Sequence, residues 1–267
     1  MEKVLINLVT HSAYKDVCLN FLELFKKNWK DCPFDFIISV VGEPMEFKEY
    51  QTKYCGKNCQ LPEAVYKTMH NSQYKYVISF LGDAFIDKKV DNYVIMDLLK
   101  EIENCNIQYC CLIPKKPFRF VGKKAGNNIR YISSFDAYNM SFVAFIASRN
   151  FIETEFSGQI SDLKFESKYL ELNGKNKVYY NDRVIVTNNI FNIIPGIDAG
   201  EWNRHAYKKL RRDNPEICFN SRQIAPLTAT IKNDLFRVLQ LFVSKKHRKV
   251  IKKIVSKIFK IKFVTDY

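Results

Sequence analysis

Residues 76–87 read Tyr-Val-Ile-Ser-Phe-Leu-Gly-Asp-Ala-Phe-Ile-Asp, and no other stretch limits the fold as much. Tyr76 to Leu81 is a short apolar run, the pattern of a strand covered on both faces. It breaks at Gly82-Asp83. A buried strand that ends in a glycine and a carboxylate sets a charge at the carboxyl edge of an open α/β sheet, where such sheets hold ligands. Asp83 is therefore the first candidate functional residue. The competing reading is a turn whose carboxylate caps the following segment.

The chain around this strand follows the rhythm of a parallel sheet. Val4 to Val9 predicts a first strand and Thr10-His11-Ser12-Ala13-Tyr14 its exit loop. Asp16 to Trp29 spaces Val17, Phe21, Leu22, Leu24, Phe25 and Trp29 as a helix, stopped by Asp31-Cys32-Pro33. Phe34 to Val41 predicts the second strand. Residues 45–62 read as a loop with a surface strand around Tyr50, and Leu61 to Met69 as a helix leading into the strand at 76.

Asp91 to Asn104 carries Val94, Ile95, Leu98, Leu99 and Ile102 on one helical face, and Tyr109 to Ile113 predicts a further buried strand. The basic, glycine- and asparagine-rich segment from Lys115 to Tyr131 reads as an active-site loop or a solvated hairpin. Ser141 to Ala147 predicts a central strand with a helix starting near Arg149-Asn150. Lys177 to Val186 has strand character, Asn192 to Gly196 reads as a turn, and Glu201 to Arg212 as a short helix. One α/β domain over 1–224 and a helical tail over 225–267 are expected.

With 267 residues, 47% of them hydrophobic, the chain has material for one large core. Its eight cysteines, at 18, 32, 55, 59, 105, 110, 111 and 218, are scattered through a chain too large to need disulfide staples. Cys55-Gly-Lys-Asn-Cys59 has no second ligand pair near it in sequence, so reduced thiols are favoured over a structural zinc. The first residues lack the signature of a secretory signal, and no apolar run is long enough to span a bilayer. An intracellular location is expected.

The net charge of +14 is concentrated near the end. Lys245, Lys246, Arg248, Lys249, Lys252, Lys253, Lys257, Lys260 and Lys262 carry nine positive charges in eighteen residues. Val250, Ile251, Ile254, Val255, Ile258, Phe259 and Ile261 fall between them at mostly helical spacing. A basic amphipathic helix of this kind suits the surface of an anionic membrane, with packing on the domain or on a second copy as the competing readings.

Five motifs then stand in order over residues 4 to 212. Thr10-His11-Ser12-Ala13-Tyr14-Lys15-Asp16 follows the first strand, and Leu81-Gly82-Asp83-Ala84-Phe85 with Lys88-Lys89-Val90-Asp91 follows the central one. Later come Tyr138-Asn-Met-Ser-Phe-Val-Ala-Phe-Ile146, Lys164-Phe165-Glu166, and Gly200-Glu201-Trp202-Asn203-Arg204-His205-Ala206. This series resembles a family of bacterial glycosyltransferases with the GT-A fold, of the kind encoded with capsule, O-antigen and other surface-polysaccharide genes. One departure is Gly82, where the family pattern Leu-Asp-Asp-x-Phe has its first aspartate.

The resemblance implies a GT-A-like fold, a mostly parallel central sheet flanked by helices. It also implies transfer of a sugar from a nucleotide-sugar donor, a UDP-sugar by preference, to a glycan or lipid-linked saccharide acceptor. Asp83 is expected to reach a divalent cation, Mn2+ or Mg2+, shared with the donor's diphosphate. Thr10, His11, Ser12 and Tyr14 are expected at the nucleoside, although His11 is equally suited to local hydrogen bonds and Asp16 to a helix cap. Glu166 is the expected general base of an inverting transfer, with Asp162 as its rival; the sequence leaves inversion or retention open. Trp202 is expected to stack on sugar and Arg204 to pair with phosphate, against a reading in which Asn203 caps a helix and Trp202 packs beside it.

The tail would then hold a cytoplasmic enzyme on the inner face of the cell membrane, with a homodimer contact as its other use. A glycosyltransferase-like binding or adaptor protein that has lost activity is the alternative suggested by Gly82. A basic nucleic-acid-binding protein is less favoured, because no finger, RNP or repeat pattern is present and nucleic acid is not an expected partner.

Overall fold

The computed structural model describes residues 3–114, 122–133, 140–175, 179–219, 221–231 and 233–234. Its centre is an eight-stranded sheet in the order β3-β2-β1-β4-β8-β6-β9-β7. The strands are β1 (Val4–His11), β2 (Asp35–Val41), β3 (Gln51–Gly56), β4 (Tyr76–Leu81), β6 (Tyr109–Cys111), β7 (Ile129–Ser133), β8 (Ala144–Ser148) and β9 (Tyr179–Val186). β8 pairs antiparallel with both β4 and β6, and β7 antiparallel with β9; the remaining pairings are parallel. The sheet is thus mixed and mostly parallel, an α/β arrangement consistent with a GT-A-like topology.

The apolar runs of β1 and β4 are explained by cover on both faces. Ile6, Leu8, Ile78 and Phe80 join one core with residues of α1 (Lys15–Asn28), α3 (Asn92–Asn104) and α6 (Arg204–Asp213). Leu5, Val9 and Val77 join the other, with residues of α2 (Leu61–Met69), α4 (Arg149–Glu155) and α5 (Asp162–Lys175). Because side chains alternate between faces along a strand, neither face tolerates a polar period, and the runs read as continuously hydrophobic.

The winding sets the position of a site. From β1 the chain passes through α1 to β2 and β3 on one side, then through α2 to β4 on the other side of β1. The direction of winding reverses between β1 and β4, and open sheets bind ligands at the carboxyl ends of such a pair. Val9 lies opposite Leu81 in the parallel register, so the exits at Thr10 and Gly82 are neighbours.

Several local expectations need correction. The surface strand lies at Gln51–Gly56, just past Tyr50, and pairs in parallel with β2. Residues expected to form a turn at 192–196 include a strand, β10 (Ile193–Pro195), which pairs antiparallel with β5 (Ala84–Ile86). Isolated three-residue segments carry too little periodicity to announce themselves, and here the pairing is made by contacts across more than a hundred residues. The helix expected from Glu201 begins at Arg204; Glu201–Trp202 is instead strand β12, paired with β11 (Ile197–Asp198). Asn203 accounts for that boundary: its Oδ1 accepts from the N–H groups of His205 and Ala206, both at 3.1 Å, and caps α6.

Residues 115–121 of the basic segment, Tyr138-Asn139 of the third motif and the tail from 235 lie outside the described residues, including the expected membrane helix. The described part of the basic segment is tied down. Glu101 accepts from the N–H groups of Asn127 at 3.1 Å and Asn128 at 3.2 Å, joining it to α3. Past residue 224 the chain stays with the domain, for Ala225 donates its N–H to the Trp202 carbonyl at 2.9 Å. All eight cysteines are free thiols.

Candidate active site

Asp83 leaves the carboxyl end of β4 half-buried, and Gly196, Ile197 and Asp198 lie against it. Its carbonyl accepts from the N–H of Gly196 at 2.9 Å, and the Gly196 carbonyl in turn accepts from Asn203 at 2.8 Å. A glycine is required at 196 by close approach: a Cβ there would lie 2.2 Å from Phe85 Cε2 and 3.0 Å from Trp202 Cζ3. The β11–β12 hairpin that follows turns through Ala199 and Gly200, both at positive φ. It brings the Asp198 carboxylate close enough to act on Asp83 electrostatically.

The carboxyl of Asp83 is pushed up to about 6. Burial is the main cause and the negative charge of Asp198 adds to it, against hydrogen bonds from the N–H groups of Asp83 itself and Ile197. No cation forms an ion pair with Asp83 among the described residues. Asp198 is exposed and accepts from Asn203 Nδ2 at 2.8 Å, so the residue that caps α6 also orients the second carboxylate.

Gly82, between the two strand exits, is buried, and a Cβ on it would lie 3.2 Å from Thr10 Oγ1 and 3.5 Å from Thr10 Cβ. Thr10 is itself buried and has little room to give way. An aspartate at 82 therefore meets a steric demand that glycine avoids, and the site's other acid comes from Asp198, far along the chain.

The exit of β1 is held mostly by its own hydrogen bonds. His11 is exposed and its Nδ1 accepts from Ala13 N–H at 3.1 Å, the local role weighed for it. Ser12 Oγ accepts from the N–H of Glu43 at 2.9 Å. Tyr14 is half-buried, with the Arg222 guanidinium 4.2 Å from its ring centroid and a Cβ at Gly200 only 3.8 Å from its hydroxyl. Asp16 neither caps α1 nor faces solvent freely: Arg222 Nε and Nη2 donate to its two oxygens, both at 2.7 Å, and Ser221 donates at 2.7 Å. Thr10, Tyr14, Asp83 and Asp198 thus border one edge of the sheet, with Arg222 clamping the hairpin to it through Gly200.

Trp202 and Arg204 face elsewhere. Trp202 is fully buried, stacked on Phe85 at 5.3 Å between centroids with 22° between planes, and edge-on to Phe219. Its ring faces are packed inside the protein and offer no platform to a sugar, so the packing alternative describes it. Arg204 donates through Nε at 3.1 Å and Nη2 at 2.8 Å to the carbonyl of Ala225.

Glu166 lies on α5 and its Oε1 accepts from the N–H of Phe142 at 2.8 Å. The adjoining Val143 carbonyl accepts from Leu81 N–H at 2.9 Å, which puts Phe142 beside the same strand end as Gly82-Asp83. Burial raises the Glu166 carboxyl, the Phe142 N–H and Ser141 hydroxyl oppose it, and Asp162 one turn earlier adds to the rise. A raised carboxyl holds a proton more readily, the property a general base near neutrality needs. Asp198 and Arg222 are the site neighbours that sequence reading missed; each sits far from its partner in the chain, and no local pattern points to it.

No family model matches the chain, and no curated protein matches it. Among solved structures, the chain is similar to S. aureus TarS (TM-score 0.47, 11% identity), over 92% of this chain and 47% of TarS, so it spans about half of that protein. A cytidylyltransferase from Leptospira borgpetersenii is similar at TM-score 0.45 and 11% identity, over 90% of this chain and 94% of that one. The galactosyltransferase LgtC, solved with donor and acceptor sugar analogues, is similar at TM-score 0.36 and 10% identity, over 67% and 68% of the two chains.

Proposed function

We propose that this chain is a glycosyltransferase that moves a sugar from a nucleotide-sugar donor, a UDP-sugar by preference, to a glycan or lipid-linked saccharide in surface-polysaccharide synthesis. The observation that carries the reading is Asp83: a half-buried carboxylate at the point where the sheet reverses its winding, raised to about 6, with a second carboxylate beside it.

A divalent cation fits this chemistry as a ligand shared with the substrate. Two neighbouring carboxylates attract a hard cation, and Mg2+ or Mn2+ is commonly held by one or two carboxylates together with phosphate oxygens. No group of three or more His, Cys, Asp or Glu side chains able to hold a metal occurs among the described residues, so Asp83 and Asp198 would need the donor's phosphates to complete the shell. Bound there, the ion supplies positive charge against the diphosphate as it leaves.

The protein's own part is positioning and proton transfer. Tyr14, backed by Arg222, offers an edge to the nucleoside beside Thr10, and the Asp83–Asp198 pair fixes the diphosphate end. In an inverting transfer Glu166 takes the proton from the attacking acceptor hydroxyl, with Asp162 as the alternative base. Among the described residues no helix is long and apolar enough to cross a membrane, and a cytoplasmic protein peripheral to the inner membrane remains the proposed location.

Calorimetry with a panel of nucleotides and nucleotide sugars, with and without Mn2+, tests the reading. Wild-type protein is expected to bind one uridine donor more tightly with Mn2+, and Asp83→Asn to lose that gain. Absence of binding across the panel would leave the competing reading, a glycosyltransferase-like adaptor without activity.

A further inference from the structure

One cavity, of about 440 Å³, does not adjoin Asp83. It lies along α6 and is lined by Arg204, Tyr207, Lys208, Arg211, Arg212 and Ile224. Four of these six side chains are cationic and none is acidic. The charge is only partly answered nearby. Arg212 pairs with Asp213 at 2.7 Å, Arg204 is spent on the Ala225 carbonyl, and Arg211 donates to the Tyr207 hydroxyl at 3.3 Å. Lys208 is exposed and forms no hydrogen bond or ion pair among the described residues.

The sequence explains why a short helix concentrates this charge. Ala206, Tyr207 and Leu210 are the buried residues of α6, and of the seven remaining positions Arg204, Lys208, Lys209, Arg211 and Arg212 are cationic, beside His205 and the single acid Asp213. Lining up like charges along ten residues costs stability, because neighbours at i,i+3 and i,i+4 repel. An anion in the groove offsets that cost.

Close to Ile224 in the chain stand two exposed aliphatic side chains. Three residues beyond Ile224 a helical stretch begins, with Leu227 at 59% and Ile231 at 58% exposure, one turn apart. His205 on α6 and Asp234 meet at 2.7 Å and fasten this stretch to α6. From there the chain continues into the lysine-rich segment 245–262.

We infer that the α6 groove seats the phosphate headgroups of an anionic lipid bilayer, with Leu227 and Ile231 entering the apolar layer beneath them. Cations that face phosphate next to exposed aliphatic side chains are the two components of interfacial binding. A soluble polyanion would satisfy the cations but has no apolar phase to receive the leucine and isoleucine. The cationic groove belongs to the folded domain, Leu227 and Ile231 open the expected tail, and the site does not depend on the reading of Asp83.

The test is co-sedimentation of the full chain with vesicles of phosphatidylcholine alone and of phosphatidylcholine mixed with phosphatidylglycerol. Lys208→Gln/Arg211→Gln is compared with Lys57→Gln/Lys100→Gln, which removes two exposed charges elsewhere. The groove variant is expected to lose about fivefold in affinity for the mixed vesicles per charge removed, the size expected of a cation at an anionic bilayer surface. The control should change less than the groove variant, and phosphatidylcholine alone should bind none of them tightly.

Should the double variant unfold, Lys208→Gln alone, a solvent-facing change, is read the same way. Leu227→Ser/Ile231→Ser is expected to weaken vesicle binding as well. Equal losses in groove and control variants would assign binding to overall charge and overturn the inference. So would unchanged vesicle binding in the groove variant, including the case in which it loses affinity only for inorganic phosphate or a single-stranded oligonucleotide.

Discussion

Arg222 holds Asp16 through two hydrogen bonds of 2.7 Å across 206 residues of chain. The same guanidinium covers the ring of Tyr14 and donates to the carbonyls of Ala13 and Gly200. It therefore joins the exit of β1 to the hairpin that brings Asp198 to Asp83. A planar donor with five N–H groups can serve all of these acceptors, and a lysine cannot.

Removing the pair should be felt in both stability and binding. Although burial raises it, the Arg222 and Ser221 hydrogen bonds carry the Asp16 carboxyl below its ordinary value. A lowered folded pKa gives stability that is present above the unfolded value and is lost as pH falls through the folded one. Arg222→Gln is expected to cost about 1–2 kcal/mol near neutrality, because both side chains keep some solvent contact. A double-mutant cycle with Asp16→Asn, read by urea unfolding, should show a coupling that fades in acid. Arg222→Lys should restore little of it.

Asp83 titrates with the opposite sign. Its carboxyl is raised to about 6, so the folded protein favours the protonated form, and that contribution to stability is lost as pH rises through about 6. Asp83→Asn removes the penalty of a buried negative charge and should stabilise the ligand-free protein at pH 7.5 by about 1–3 kcal/mol relative to wild type, with the difference vanishing in acid. Binding should run the other way. If an ionised Asp83 holds a cation against phosphate, Mn2+-assisted nucleotide affinity rises through the same pH range in wild type and stays flat in Asp83→Asn. A flat wild-type profile would remove the metal from the proposal while leaving the stability shift in place.

Physical reasons separate what the sequence discloses from what it hides. β1, β2, β4 and the helix at Leu61–Met69 announce themselves because burial on both faces, or on one helical stripe, writes a period into consecutive residues. The cap of that helix shows only in the structure, where Glu63 accepts the Gln60 N–H at 3.3 Å. β5 and β10 are three residues each and depend on each other for pairing, so neither has a pattern alone. Glu166 is similar: the motif suggests its chemistry, but its place beside the β4 exit depends on the N–H of Phe142, which local sequence does not disclose. Trp202 shows the reverse. An aromatic residue within a family-like motif is ambiguous in sequence, and its environment of Phe85, Tyr207 and Phe219 decides for packing.

Trp202 should accordingly behave as a core residue. Its ring is fully buried and its Nε1 has no hydrogen-bond partner among the described residues, so replacement by phenylalanine sacrifices area but none of the polar contacts described. Trp202→Ala should cost about 3–5 kcal/mol, the usual loss for emptying a large aromatic site. Trp202→Phe should cost well under half of that and leave sugar-donor affinity near wild type by calorimetry. A large loss of donor affinity in a well-folded Trp202→Phe protein would return the ring to the binding site.

Glu166 and Asp162 are one helical turn apart, and their substitutions separate chemistry from support. Glu166 accepts the Phe142 N–H, and glutamine keeps an acceptor oxygen at that position, so Glu166→Gln should fold with little change in melting temperature. Glutamine has no basic site for the acceptor's proton, and the rate of transfer should fall by about 10²–10⁴, the range for loss of a general base. The raised carboxyl of Glu166 predicts a wild-type rate that climbs as pH passes above the ordinary glutamate value, a limb absent from Glu166→Gln. Asp162→Asn should retain most activity and lower the pH of that limb, because a neighbouring negative charge that holds the Glu166 proton is gone. If Asp162→Asn is the slower enzyme and Glu166→Gln turns over at the wild-type rate, the two roles are reversed.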